Sequence, residues 1–224
     1  ADIIGSTSTI CELDLVQILY EALTELKIPG FTIHINDRRI LSALAENLGV
    51  KSTKLTDFTI AIDKYDKIGI EGVVNELENR GFDKNVCSGI EKLFSANNSG
   101  DNESVLESIN SLIPNNESCN EGLSEIRKLI SRSKSLGIIE PEIRFDSMLA
   151  RGLDYYTGAI FEVRVKDSNV GSICGGGRYD DLTGIFGWKG MSGVGISFGA
   201  DRIEDVLEHF NLFPEYIEKS TDVL

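Results

Sequence analysis

The 224-residue chain carries 22 Lys and Arg against 36 Asp and Glu, for a net charge of −14, with 41% hydrophobic and 26% charged residues. Such a chain can bury a substantial core as a globular protein, and its acidic excess leaves no clustered Lys and Arg of the kind that marks nucleic-acid binding. No apolar run approaches the roughly 20 residues needed to cross a bilayer, and Ala1-Asp-Ile-Ile-Gly-Ser6 is not a signal peptide.

The first fifty residues read as strand, helix, strand, helix. Ala1 to Gly5 resembles the tail of a strand. Thr9-x-x-Glu12 reads as a capping box, after which Leu13, Val16, Leu19, Tyr20, Leu23 and Leu26 form a helical stripe up to the break at Pro29-Gly30. Phe31 to Asn36 alternates with Phe31, Ile33 and Ile35 inward, which leaves His34 on the polar side as a surface residue with no assigned role. Asp37 is placed to cap a short helix that buries Ile40, Leu41 and Leu44.

From Lys51 to Gly137 the pattern changes to helical stripes joined by polar loops. Stripes over 71–80, 84–94, 103–113 and 120–136 predict helices, with Ser118-x-x-Glu121 capping the last and Gly137 ending it. The stretch carries no chemical motif and reads as a helical insertion. Strand patterns resume at once after it, so the expected organisation is a core of 1–50 and 138–219 interrupted by 51–137. Four cysteines, at 11, 87, 119 and 174, lack CxxC spacing and a nearby histidine, which predicts reduced thiols in the cytosol rather than a zinc site.

Three stretches suit a ligand better than a core. Arg151-Gly-Leu-Asp-Tyr-Tyr-Thr-Gly158 places a guanidinium, a carboxylate and two phenols between glycines, directly before an alternating strand with Phe161, Val163 and Val165 on one face and Glu162, Arg164 and Lys166 on the other. Ser172-Ile-Cys-Gly-Gly-Gly-Arg-Tyr-Asp-Asp-Leu182 lets backbone approach a ligand, with Arg178, Tyr179 and Asp180 projecting from its far end. In Ser192 to Ile203, bulky Val194, Ile196 and Phe198 alternate with Gly193, Gly195, Ser197 and Gly199, which would leave a flat shelf for a planar group such as adenine. Arg202 follows at the start of a helix, where phosphate is favoured.

Taken together and in this order, the three stretches resemble the histidyl-tRNA synthetases: the first two resemble that family's histidine-specific segments, and the third resembles motif 3 of class II synthetases. The resemblance implies an α+β fold, with an antiparallel class II sheet flanked by helices and interrupted by an inserted helical domain. It implies that Arg151 meets the α-phosphate of ATP and the carboxylate of histidine, and that Tyr155, Tyr156 and Tyr179 line the amino-acid pocket. Arg202 would lie at adenine and the γ-phosphate, with Gly195, Ser197 and Gly199 as the shelf. The implied substrates are L-histidine, ATP with Mg2+, and tRNA(His), in the cytoplasm. The implied assembly is a homodimer in a full-length parent, which leaves the fragment free to be monomeric.

Motifs 1 and 2 of that family would precede Ala1, and residues 220–224 resemble the first strand of its anticodon-binding domain. The expectation is therefore a middle fragment with little aminoacylation activity of its own. Two rival readings are a synthetase-like regulatory subunit of ATP phosphoribosyltransferase, which binds ligand without aminoacylation, and a helical interaction module on a β platform.

Overall fold

Residues 1–98, 100–150 and 155–214 are described in a computed structural model. Alternating apolar residues build the centre of a six-stranded sheet from β1 (Asp2–Ile4), β2 (Phe31–Asp37), β3 (Ile143–Phe145), β4 (Ala159–Val165), β5 (Cys174–Tyr179) and β6 (Gly193–Phe198), in the order β1-β6-β5-β4-β2-β3. Every pairing is antiparallel except β2 with β3. The sheet is thus mixed rather than wholly antiparallel. A parallel neighbour requires a long crossover, and the helices between β2 and β3 supply it.

Those helices are α2 (Arg38–Asn47), α3 (Leu55–Asp63), α4 (Tyr65–Asn79), α5 (Lys84–Asn97), α6 (Asn102–Leu112) and α7 (Glu117–Ser135). α1 (Ile10–Glu25) precedes β2, while the short α8 (Leu182–Ile185) and α9 (Ala200–His209) flank β6. Among them α3 was not anticipated; it buries Phe58, Ala61 and Ile62. One sheet face buries Ile33, Ile35, Phe161 and Val163, and α1 and α7 pack against β2. Leu15, Leu19 and Leu23 of α1 are fully buried, and truncating any one of them to Ala costs about 2–5 kcal/mol. Buried side chains form one cluster that runs from the sheet into α2–α7.

α2 begins on Asp37 as expected, and α5, α6 and α7 begin on Asp83, Asp101 and Asn116; all four side chains accept from backbone N–H groups of the first turn. The two expected capping boxes, at Thr9 and Ser118, do not form. At α1 no side-chain cap forms: the Thr9 hydroxyl accepts from Arg132 Nη1 at 2.7 Å, and Glu12 turns inward to an arginine. α7 starts ahead of Ser118, with Asn116 as its cap: the Asn116 Oδ1 accepts from the Cys119 N–H at 2.9 Å. Its C-terminal end follows expectation. Gly137 has φ of +81°, and the Ile138 N–H returns to the Ser133 carbonyl at 3.0 Å. All four cysteines are free and buried. Among the described residues no helix is long and apolar enough to cross a membrane.

Candidate functional site

Strand alternation divides the motif residues between the two faces of the sheet. The register pairs Gly175 with Ser197, Gly177 with Gly195 and Tyr179 with Gly193, which sets these residues on the face opposite α1 together with Glu162 and Arg164 of β4. A cleft of about 1040 Å³ opens on that face. Tyr155, Tyr156, Glu162, Arg164, Gly175 and Ser197 line its sheet side; Arg202 and Asp205 of α9 stand at one edge. The end of α3 and the start of α4, with Ile62, Asp63, Tyr65, Asp66 and Lys67, also line it.

Four of the expected site residues therefore meet in one cleft: Tyr155, Tyr156, Ser197 and Arg202. The two tyrosine rings lie 4.5 Å apart between centroids, with their hydroxyls 3.4 Å apart. Tyr156 lies over Gly177, where an added Cβ would fall 2.8 Å from its ring. Glycine is needed at that position so that the ring can lie against the strand. Arg202 is held at the rim by a bond from Nη1 to the Ser172 carbonyl at 2.5 Å. Arg151 lies outside the described residues.

Other expected residues are placed differently. Tyr179 is buried beside the cleft rather than on its wall. Its ring covers Gly193, and its hydroxyl donates to Asp2 Oδ1 at 2.6 Å. Burial, reinforced by the bond to Asp2, pushes its hydroxyl up to about 12. Gly195 is not a bare shelf: the Asp2 carboxylate covers it, 1.9 Å from where a Cβ would stand. Gly199 allows close packing on the Ile173 carbonyl, to which its N–H donates at 2.8 Å. Ser197 and Gly175 are the parts of the two strands that line the cleft.

Arg178 does not project toward a ligand. It lies on the opposite sheet face from Tyr179, as consecutive strand residues must, and binds Glu12 through Nε and Nη2 at 2.5 and 2.8 Å. Asp180 accepts from the Thr157 hydroxyl at 2.5 Å.

A buried charge network beneath the cleft escaped the sequence reading. Asp146, fully buried, accepts from Asn97 Nδ2 and the Met148 N–H at 3.0 Å each, and pairs with His34 Nδ1 at 3.0 Å and Arg164 Nη1 at 3.2 Å. His34 is thus partnered inside the protein rather than idle on its surface. Burial alone would raise the Asp146 carboxyl, but His34, Arg164 and the Met148 N–H together hold it below the ordinary carboxylate range. Asp66 is the opposite case: burial, with Asp146 and Glu162 nearby, outweighs Arg164 and raises its carboxyl. Alternation alone puts His34 on one strand face and Glu162 with Arg164 on one face of theirs; the register that brings His34 opposite Glu162 is seen only in the structure.

Chemically, the cleft offers phenols for polar and aromatic contact, carboxylates for a cationic group, and the guanidinium of Arg202 for an anion, while Arg164 is occupied by Glu162, Asp146 and Asp66. Among the described residues no three His, Cys, Asp or Glu side chains converge on a metal position. A Mg2+ ion bound mainly through nucleotide phosphates and water does not require such a cage.

Comparison with known proteins gives this geometry a context. The histidyl-tRNA synthetase family model matches residues 1–203. Histidine–tRNA ligases of Cytophaga hutchinsonii and Flavobacterium johnsoniae are 41% and 46% identical across the whole chain, which spans 49% and 47% of their lengths. The crystal structure of histidyl-tRNA synthetase from Nostoc sp. PCC 7120 superposes with a TM-score of 0.85 at 30% identity, covering 95% of this chain and 50% of that one.

Proposed function

Since the chain belongs to the histidyl-tRNA synthetase family, we propose that in the full-length protein it supplies one part of an active site that activates L-histidine with ATP and transfers it to tRNA(His). It spans about half the length of the relatives it matches, so the activity is assigned to the full-length protein. The observation that carries the reading is the convergence of Tyr155, Tyr156, Ser197 and Arg202 on one cleft, reached from separate stretches of sequence. The names of the relatives at 41% and 46% identity favour a ligase over a regulatory subunit.

In this reading Tyr155 and Tyr156 form the wall against which the imidazole and amino-acid backbone lie, and Tyr179 supports that wall through its bond to Asp2. The adenine rests near Ser197 and Gly175 beside Arg202, whose planar guanidinium suits both stacking and phosphate contact. A carboxylate oxygen of histidine attacks the α-phosphorus and forms the acyl-phosphate bond. The bond to the β-phosphate oxygen breaks, and its electron pair leaves with pyrophosphate. Arg151 is assigned to the α-phosphate and carboxylate, where it offsets charge that grows in the transition state. Losing one such donor lowers the rate by about 10²–10³-fold. Mg2+ bound with ATP would offset charge on its phosphates. The helices of 51–137 are read as an insertion between the two core segments, the reaction is placed in the cytoplasm, and a homodimer is the expected assembly of the full-length protein.

Histidine-dependent ATP–pyrophosphate exchange by the full-length protein tests the assignment. Exchange with histidine and with no other amino acid is expected. A well-folded protein showing no exchange would overturn the reading and favour a regulatory role.

A further inference from the structure

Two unlike walls face one another across the cleft. The sheet wall is rigid, because Glu162 lies in a central strand and Asp146 below it is fixed by four partners. The other wall is the corner between α3 and α4 at residues 62–67, which lies far from the sheet in sequence. Just beyond that corner, Gly69 breaks α4 with φ of +65° and ψ of −180°. The first turn of α4 is therefore cut off from the hydrogen-bond ladder that stiffens the rest of the helix.

One side chain joins the two walls. Arg164 donates from Nε to Glu162 Oε1 at 2.8 Å and from Nη1 to Asp146 Oδ2 at 3.2 Å, while its Nη2 reaches Asp66 Oδ2 at 2.5 Å. Two of these carboxylates belong to the sheet side and the third is carried by the corner. The planar fork of an arginine can hold all three at fixed angles, whereas a lysine ammonium could not.

We infer that Arg164 is a positioning residue, which pins the α3–α4 corner to the sheet through Asp66 and thereby sets the width of the cleft and its affinity for the amino acid. This rests on the proposed amino-acid activation. Arg164 is not required to touch reacting atoms, so loosening the corner weakens ligand binding more than it slows the bound complex.

The test uses Asp66→Asn and Asp66→Glu in the full-length protein. Asp66 is 42% exposed in its side chain, so the neutral variant folds. Removing one partly exposed ion pair is expected to raise the histidine KM in pyrophosphate exchange about fivefold while kcat changes less than about twofold. Hydrogen exchange of the amides at 62–68 should quicken in parallel, and Asp66→Glu should restore both. An unchanged KM with faster amide exchange would make the ion pair merely structural, and unchanged amide protection would show that it holds nothing; either overturns the inference. If the wild type shows no histidine-dependent exchange, the functional reading falls, and the amide measurement still decides whether Arg164 pins the corner.

Discussion

Arg178 of β5 donates to both carboxylate oxygens of Glu12 in α1, at 2.5 and 2.8 Å, and so ties the sheet to the helix across 166 positions of sequence. Its Nη1 also reaches the Ser192 hydroxyl at 2.5 Å and the Ser6 carbonyl at 2.9 Å. Both charged partners are buried. Arg178→Ala would strand the Glu12 carboxylate, and urea denaturation should show a loss of about 3–5 kcal/mol. A double replacement by apolar residues, Arg178→Met with Glu12→Leu, should recover most of that loss. Equal losses in the single and double variants would contradict this account.

The Asp146 carboxyl is held below its ordinary range, so the stability it contributes is fully present above the unfolded value of about 4 and is lost as pH falls through the lower folded value. Asp146→Asn should lower stability at pH 7 by about 3–5 kcal/mol, because Arg164 and His34 lose their shared anion. Below pH 4 the difference between wild type and variant should shrink. Denaturant midpoints measured across pH 3–7 check both statements.

Tyr179 gives an optical prediction. Its hydroxyl, pushed up to about 12 by burial and Asp2, should ionise well after an exposed tyrosine with the usual value of about 10. The raised value favours the folded state below pH 10, and that contribution disappears as pH rises toward 12. Ultraviolet titration of the wild type should show a late-ionising tyrosine that Tyr179→Phe removes.

The glycines of β5 and β6 differ sharply from those in loops. A Cβ at Gly176 would lie 1.9 Å from the Gly195 carbonyl oxygen and 2.7 Å from the Ile196 Cα, both backbone atoms that cannot yield without moving a strand. Gly176→Ala should therefore abolish folding or cost more than about 3 kcal/mol. At Gly49, with φ of +78° and nothing within 4 Å, alanine meets only backbone strain, and a loss of about 1 kcal/mol is expected. Thermal melts of the two variants should separate widely.

Much of this fold could be read locally. Alternation marked β2, β4 and β6, and helical stripes marked α1, α2 and α4–α7. The short β3 carried too few residues for a period to show, and α3 is a brief helix set between polar turns. The cleft residues Tyr155, Tyr156, Ser197 and Arg202 were legible because ligand chemistry clustered within short motifs. The network of His34, Asp146, Glu162 and Arg164 was not. Alternation marks Glu162 and Arg164 as solvent-facing, yet α4 returns over that face and places Asp66 on it. Arg178 was misread because its motif neighbour Tyr179 faces the ligand side, and strand geometry sends the next residue the other way.

The most direct test of the central claim is a crystal structure of the full-length protein with a non-hydrolysable histidyl-adenylate analogue. The account predicts the imidazole against Tyr155 and Tyr156, and the adenine beside Arg202 over Gly175 and Ser197. Clear density for the analogue anywhere else would contradict it.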